Sequence, residues 1–450
     1  MKVSNVLIVV VVLLVAIGAL LLFKSSPSPP SENVENIEKV IENYQAGGSL
    51  EVKHWWIIEE EKLGFSAAKN GMEDQYPNVS FTPVEVPGGS GGGMPPAILP
   101  GLTAGEAPES FQAHPGYEAA TYGYYLRSLN DLWAYDNLEQ RTPEMIANIC
   151  KIEGNYYIVP IGVHRTNTIW YNKKLFEQCD IAPPSGLITF DQFWALCDEL
   201  KNELPPGTYV LDIGDGIGST WAATQVFETI MAGLDLQTYE DFINGSVTQE
   251  QLKPVLENFK KFLSYVPDDH LTRNWGGVCG LIYDDRVAMY LHGDWVKGYF
   301  KSVGWQYGVD YGSFPAPGTS GSFGLCVDGF VVPKDAEYIG NGLRWVHSYT
   351  TDDVQRAFNL VKGSVSPYTD IPLDIYEDNY SMESALSLQT PSTKFYPSIT
   401  HGTAVPNDVL FDLHVKISSF VLNPDVEAYA QYIEEAVGRG AYTIPWDIAP

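Results

Sequence analysis

The sequence predicts an α/β fold in which mainly parallel sheets carry helices on both faces. Three observations support this class. Short apolar strands alternate with helical segments, 45% of the residues are hydrophobic and 18% charged, and about 425 residues follow the apolar N-terminus. That length is sufficient for two hydrophobic cores.

The N-terminal segment predicts a location outside the cytoplasm. Residues Val6–Phe23 form a run of 18 uncharged residues between Lys2 and Lys24. As a helix, this run would be about 27 Å long, enough to cross a thin bilayer. Because no A-x-A-like cleavage site precedes Lys24, residues 1–24 are interpreted as an uncleaved membrane anchor, with a cleaved signal peptide as the alternative. A stalk follows over residues 25–48, where Ser25–Pro30 predicts a stiff, extended spacer.

Beyond the stalk, strands and helices alternate in the order expected for a parallel sheet. Apolar periodicity predicts β-α-β-α-β over Leu50–Trp56, Glu60–Asn70, Val79–Val86, Pro95–Ala104 and Glu109–Ala113. Later segments predict further helices and strands at Phe190–Asn202, Ala222–Ala232, Gln249–Ser264, Val287–Leu291 and Phe323–Val332. Ligands of such sheets bind beyond the carboxyl ends of the strands. Two of these ends carry Trp55-Trp56 and Gln112-Ala113-His114.

The charge and the missing motifs exclude several classes of function. A net charge of −29 argues against nucleic acid and anionic lipid surfaces as partners, since both require basic patches. The glycine clusters lack the pattern of a phosphate-binding loop, and the eight histidines are spread singly, so we expect neither a cofactor nor a metal site. Gly88–Gly92 formally matches the G-x-S-x-G motif of esterases, but a polyglycine connector is the favoured interpretation. A glycosidase pair of carboxylates stays open, because such a pair needs no local motif.

Tryptophans beside small polar residues suggest a sugar platform. The indole face packs against the apolar face of a pyranose, while nearby polar groups bind its hydroxyls. The candidates are Trp55-Trp56, Trp221, Trp275 and Trp295. For any single tryptophan, packing in a core or between domains is the competing interpretation.

Several blocks of sequence resemble the extracellular solute-binding proteins that serve ABC sugar importers. The resemblance is carried by Ala104–Phe111, Asn167–Phe176, Pro183-Pro184 and Thr189–Phe193. Within that family the similarity is to the glucose/mannose-binding group, through Trp55-Trp56, Phe111–His114, Val163–Asn167, Gly293-Asp294-Trp295, Pro315–Thr319, Lys362-Gly363-Ser364 and His401-Gly402. These blocks occur in order over nearly all of residues 51–410.

The resemblance implies a fold and a binding site. The fold would be the two-lobed, hinged periplasmic-binding-protein fold, each lobe a mainly parallel sheet flanked by helices. Lobe 1 would comprise residues 49–160 and 317–370, and lobe 2 residues 161–316 and 371–450. The ligand-binding residues implied are Trp55, Trp56, Glu60, Gln112, His114, Asn167, Trp275, Trp295, Asp328, Lys362 and His401. Glu60 stands in a run of three acids, so Glu59 or Glu61 could take its place.

The function implied is capture without catalysis. The chain would bind a glucose- or mannose-like monosaccharide between its lobes at the cell surface and deliver it to the permease subunits of an ABC importer. The partners would therefore be the sugar, the permease and, through the N-terminal helix, the membrane, with no nucleic acid. The alternatives are a secreted carbohydrate hydrolase that uses Glu60 or Asp328, and a receptor for a disaccharide or polyol.

Overall fold

The computed structural model describes residues 36–89, 93–216 and 221–438, without the side chain of Glu60. The predicted anchor (residues 1–24) and residues 25–35 of the predicted stalk lie outside these ranges. Among the residues described, no helix is both long and apolar enough to cross a membrane.

Strands and helices follow one another closely in the described ranges. The strands are β1 Gly48–His54, β2 Val79–Glu85, β3 Ser110–Ala113, β4 Lys151–Ile152, β5 Asn155–Tyr156, β6 Val159–Arg165, β7 Thr168–Asn172, β8 Tyr209–Asp212, β9 Val287–His292, β10 Tyr311–Pro315, β11 Ser322–Val331 and β12 Lys394–Pro397. The helices before β7 are α1 Ile37–Ile41, α2 Glu59–Gln75, α3 Met94–Ala104, α4 Tyr117–Tyr122, α5 Asn130–Tyr135, α6 Leu138–Arg141 and α7 Glu144–Ile149. The helices from β7 to β11 are α8 Lys173–Gln178, α9 Phe190–Glu203, α10 Trp221–Leu234, α11 Leu236–Ile243, α12 Gln249–Leu263, α13 Trp275–Tyr283 and α14 Val296–Ser302. Those after β11 are α15 Ile339–Ser348, α16 Asp352–Lys362, α17 Asn379–Gln389, α18 Asn407–Leu422 and α19 Val426–Val437.

The larger sheet has the strand order β12-β11-β3-β1-β2, and β6 pairs with β11 as well. The pairs β1–β2, β1–β3 and β11–β12 are parallel, whereas β11 runs antiparallel to β3 and β6. All ten residues of β11 are buried. A polar side chain on β11 therefore requires a partner within the protein.

The smaller sheet has the order β10-β7-β9-β8. Only β8–β9 is parallel; β10–β7 and β7–β9 are antiparallel. The α/β class is confirmed, but the prediction that each sheet is mainly parallel is wrong for this one. The reason is that β7 and β10 connect directly to β6 and β11 of the larger sheet, across residues 166–167 and 316–321. These crossings, rather than strand-helix-strand units, set the direction of both strands.

The apolar residues form two large clusters and a smaller third one. The first cluster contains buried side chains from residues 41–163 and 323–388, and the second contains side chains from residues 169–316 and 396–437. The first and second clusters are the cores of two halves of the molecule. The third cluster includes Trp170, Trp275 and Trp295 and lies between these halves. The lobe limits stated above stay a prediction, and the packing of residues 371–388 with the first cluster favours a third boundary nearer residue 390.

Local signals explain where several helices begin. Thr189 and Thr248 each cap a helix reciprocally with a glutamine three residues later, in the capping boxes that start α9 and α12. The side chain of Asn274 accepts a hydrogen bond from the backbone N–H of Gly277 at the start of α13. This cap fixes the first turn of α13, from which Trp275 projects.

Candidate ligand-binding site

A cavity of about 640 Å³ lies where the two halves of the chain meet. His114 follows β3 and Asp328 lies on β11, both in the larger sheet. Trp275 begins α13 and Trp295 precedes α14, both beside the smaller sheet. The volume is in the range of about 300–1,000 Å³ that is typical of small-molecule sites.

Three indole rings surround the imidazole of His292 on one side of the cavity. The ring centroid of His292 lies 5.2 Å from Trp221, 5.9 Å from Trp275 and 5.0 Å from Trp295. Burial lowers the pKa of His292 well below its usual value, so the ring is neutral. Trp221, Trp275 and Trp295 line the cavity. This wall is thus aromatic and uncharged.

The cavity also holds a buried carboxylate that three side chains contact. Asp328 Oδ1 accepts a hydrogen bond from Gln112 Nε2 at 3.0 Å and lies 3.5 Å from His114 Nε2. Its Oδ2 lies 3.3 Å from His164 Nε2. Asp328 is only 3% exposed. A charge this deeply buried persists because its partners replace the hydration that it has lost.

Each of the two histidines is held by a second carboxylate. His114 Nδ1 lies 2.9 Å from Glu118 Oε2, and His164 Nδ1 contacts Asp294 Oδ1. Asp294 Oδ2 also accepts the backbone N–H of Arg165 at 3.0 Å. Because each imidazole contacts carboxylates through both nitrogens, its orientation is fixed.

This network shifts the ionisation of its members. Burial opposes the charge on Asp328, but hydrogen bonds from His114 and His164 and the charge of Lys362 hold its pKa well below the usual range. Burial also opposes protonation of the two histidines, yet the acidic groups beside them raise the pKa of His114 well above 6.5 and that of His164 above it. These directions favour an ionised Asp328 beside protonated histidines, while burial raises the pKa of Glu118.

A buried lysine and a largely buried glutamate contact each other in another part of the cavity lining. Lys362 Nζ lies 3.4 Å from Glu61 Oε1 and 5.6 Å from the ring centroid of Trp56. Burial raises the pKa of Glu61 against the lowering effect of Lys362. Glu61 lines the cavity, whereas the Glu60 side chain lies outside the described part of the chain.

The chemistry of this cavity suits a neutral ligand with one apolar face and several hydroxyls. The indoles offer a stacking surface, and the carboxylates, the lysine and the histidines offer charge-assisted hydrogen bonds. Within the described ranges, no group of three or more His, Cys, Asp or Glu side chains could hold a metal ion.

The comparisons with known proteins identify the family. The model of the bacterial extracellular solute-binding protein family matches residues 15–356. The chain belongs to this family. It is similar to an uncharacterised ABC transporter extracellular-binding protein of Pyrococcus horikoshii, with 37% identity over 87% of each chain. A probable sugar-binding periplasmic protein of Rhizobium meliloti is 26% identical over 80% of this chain and 86% of its own.

The solved structures show the fold of this solute-binding protein. A chitin oligosaccharide binding protein superposes with a TM-score of 0.76, covering 88% of this chain and 99% of its own at 16% identity. The two-lobed fold predicted from the resemblance is thereby confirmed. Membership in an extracellular family of binding proteins agrees with the expected location outside the cytoplasm and with the expectation that the protein is not an enzyme.

Most of the residues predicted to bind ligand meet in this cavity. Those that line it are Trp55, Trp56, His114, Trp275, Trp295, Asp328, Lys362 and His401. Trp55 is partly exposed, and its ring centroid lies 4.8 Å from that of His114. Trp56 is only 1% exposed and packs on Phe330 and Phe358, so it belongs largely to the core.

Two predicted residues lie behind the cavity rather than in its lining. Gln112 donates to Asp328 and accepts the backbone N–H of Trp55 at 3.1 Å, and so positions both. The amide of Asn167 donates to Ser322 O at 3.2 Å and accepts from Gly324 N at 3.1 Å. Asn167 thus joins the crossing between β6 and β7 to the backbone of β11.

Trp221, predicted as part of a sugar platform, also lines the cavity, whereas His164 and Asn274 line it without having been predicted to bind ligand. His164 stands in a buried strand, Val159–Arg165. A histidine in such an apolar run was a usable signal, because it needs a buried partner. The sequence around Asn274 predicts a helix cap but contains no signal that this residue lines a cavity. Its proximity to the cavity depends on the long-range packing of α13.

Proposed function

We propose that this protein captures a glucose- or mannose-like monosaccharide between its two lobes. The single observation that carries the proposal is one cavity lined both by the three indoles of Trp221, Trp275 and Trp295 and by the hydrogen-bonded Asp328. A pyranose would stack on the indoles and place its hydroxyls against Asp328, His114 and Lys362. The name of the Rhizobium relative, a probable sugar-binding protein, supports the same ligand class.

Capture would proceed by closure of the lobes. Because Asp328 and Lys362 come from the larger sheet and its helices, and Trp275 and Trp295 from the other half, a bound sugar would contact both halves at once. Contacts that form only in the closed state select that state. Ligand binding would thus be coupled to a change of shape that a partner can recognise.

The partner would be an ABC importer, as the name of the Pyrococcus relative suggests. The closed form would deliver the sugar to the permease subunits, and residues 1–24 would anchor the receptor to the membrane through the uncharged run Val6–Phe23. The anchor is tested by separating cell membranes from the culture medium and measuring which fraction contains the chain. Recovery of the chain in the medium, with an N-terminus beyond residue 24, would contradict it.

Calorimetric titration of the purified full chain tests the ligand class. The panel contains glucose, mannose, galactose and maltose, and each sugar is recovered afterwards. We expect one sugar bound per chain and recovered unchanged, with glucose or mannose among those bound. Heat with maltose alone, or with none of the four sugars, would overturn the proposal.

A further inference from the structure

Three hydrogen-bonded side chains connect the cavity with a buried carboxyl group behind it. His401 lines the cavity, and its Nδ1 lies 2.8 Å from Ser398 Oγ. The same Oγ lies 2.7 Å from Oε1 of Glu228, which belongs to α10. Ser398 and Glu228 are buried and do not line the cavity. Glu228, Ser398 and His401 thus form a relay from the interior to the site.

The hydroxyl of Ser398 lies at the centre of the relay and has one proton to donate. The backbone N–H of His401 donates to Ser398 Oγ at 3.2 Å, and the backbone N–H of Thr400 donates to Glu228 Oε2 at 2.9 Å. Two other partners of Ser398 Oγ remain, Oε1 of Glu228 and Nδ1 of His401. Because one proton cannot serve both, Ser398 donates to one of them and accepts from the other.

The charge on Glu228 decides the direction of the relay. An ionised carboxylate only accepts, so Ser398 donates to it and accepts from the Nδ1–H of His401, whose Nε2 is then an acceptor. A protonated carboxyl donates to Ser398, which then donates to Nδ1, so Nε2 carries the ring proton and is a donor. Burial raises the pKa of Glu228 to about 7, so both forms occur near neutral pH.

The other groups that face Glu228 stay uncharged. They are the phenols of Tyr239, on α11, and Tyr396, on β12. Burial, and next the carboxyl of Glu228, raises the pKa of both phenols well above 10. Neither phenol therefore exchanges a proton with the relay near neutral pH.

The imidazole of His401 is neutral in both directions of the relay. Burial, and next the charge of His114, lowers its pKa well below 6.5 against the effect of Asp328. His164 and His292 are the other titratable groups that face it. Within the described ranges, Nε2 of His401 makes no hydrogen bond, so this nitrogen is available to a ligand in the cavity.

We propose that Glu228 and Ser398 are positioning residues of the sugar site, which decide whether Nε2 of His401 accepts a hydrogen bond from a sugar hydroxyl or donates one to it. This inference rests on the proposed function and deepens it, because it assigns a role in sugar recognition to residues behind the lining. The site offers the sugar an acceptor at this nitrogen when Glu228 is ionised and a donor when Glu228 is protonated.

Nitrogen NMR of the full chain, isotopically labelled in its histidines, tests the relay, since protonated and unprotonated ring nitrogens differ in chemical shift. His401→Asn identifies the signals of His401. Over a pH series that spans 7, we expect the ring proton to move from Nε2 at the acidic end to Nδ1 at the alkaline end. In Glu228→Gln the amide oxygen would accept from Thr400 and the amide N–H would donate to Ser398, so Nε2 should keep the proton throughout.

Titration calorimetry measures the consequence for binding, with the tightest-binding sugar among glucose, mannose, galactose and maltose. Across the same pH series, we expect the affinity of the unmodified chain to change about two- to tenfold relative to that of Glu228→Gln, the effect of one hydrogen bond. Glu61 and Glu118, whose pKa values burial raises, are present in both proteins, so the comparison removes their contribution. Identical pH profiles would overturn the proposal.

Ser398→Ala interrupts the relay, and the tautomer of His401 should then be independent of pH. The matched control is Ser348→Ala, because Ser348 is a buried serine that donates to Trp345 O at 2.8 Å and does not line the cavity. It should leave the histidine signals and the affinity unchanged.

Two results of the NMR experiment would overturn the relay. One is a ring proton that stays on the same nitrogen of His401 across the whole pH series in the unmodified chain. The other is a proton that still moves in Ser398→Ala. Absence of heat with every sugar would overturn the proposed function instead, and the NMR signals would still decide whether Glu228 sets the tautomer of His401.

Discussion

His164 Nε2 lies 3.3 Å from Asp328 Oδ2 at the junction of the two halves. The other nitrogen of the same imidazole contacts Asp294, which stands just before α14 beside the smaller sheet. One histidine therefore connects a carboxylate of β11 with a carboxylate from the other half of the chain. A change in the position of either half would alter this contact, so the network around Asp328 couples the cavity to the arrangement of the lobes.

Asp328→Asn should weaken both folding and binding. The substitution keeps the shape but removes the carboxylate that His114 and His164 share. Breaking a buried pair costs about 3–5 kcal/mol, which chemical denaturation would measure. The control is Asp131→Asn, which removes a partly exposed pair with Arg127 worth about 0.3–0.5 kcal/mol. Equal effects of the two substitutions would contradict the buried network.

Trp275→Ala should lower the affinity for sugar by about tenfold or more, because stacking surface is lost from the aromatic wall. Titration calorimetry with the sugar that binds most tightly measures the loss. The matched control is Trp305→Ala, because Trp305 is a partly buried indole that lines a different cavity. An affinity for Trp275→Ala equal to that of the unmodified chain would remove this residue from the site.

Gly293→Ala should act through Trp295. A Cβ atom at residue 293 would lie 2.1 Å from a carbon of the Trp295 ring, closer than any real contact, so the indole would have to move. We expect weaker sugar binding and a changed tryptophan fluorescence. At Gly123 the nearest atom to such a Cβ is 3.8 Å away, and Gly123→Ala should change neither property. Binding unaffected by Gly293→Ala would show that the position of Trp295 is unimportant.

Stability should fall as the pH rises through the titration of Glu228. Burial raises the pKa of this carboxyl from 4.5 to about 7, although it accepts hydrogen bonds from Ser398 and Thr400. The folded state thus holds a proton that the unfolded chain releases above pH 4.5, and this contribution is lost between pH 4.5 and about 7.

Glu228→Gln removes that titration. Between pH 4.5 and 7, the unmodified chain should lose about 3 kcal/mol of stability relative to the variant, as measured by urea unfolding at a series of pH values. A stability difference between the two proteins that is independent of pH would refute the raised pKa.

Asn167→Ala should reduce stability by about 1–3 kcal/mol, because it leaves the backbone groups of Ser322 and Gly324 without their partner. The affinity for sugar should fall only to the extent that the substitution displaces the connection between β6 and β7. Unfolding and titration of the same variant separate the two effects. A large loss of affinity at unchanged stability would instead make Asn167 a direct ligand contact.

Much of the secondary structure could be predicted from local patterns. The strand predicted at Val79–Val86 is Val79–Glu85, and the helix predicted at Gln249–Ser264 is Gln249–Leu263. Periodicity and capping residues are properties of short segments, so they are readable before the chain folds. The strand directions of the smaller sheet were not readable in this way, because they depend on the crossings near residues 167 and 316.

The sequence by itself determined the α/β class, the strand ends that carry Trp55 and His114, and eight of the side chains that line the cavity. Only the tertiary structure decided that Asn167 joins two segments of backbone and that His164 joins Asp328 to Asp294. These relations connect residues more than 100 positions apart. Their geometry follows from how the two halves pack, and no local pattern of residue types records that packing.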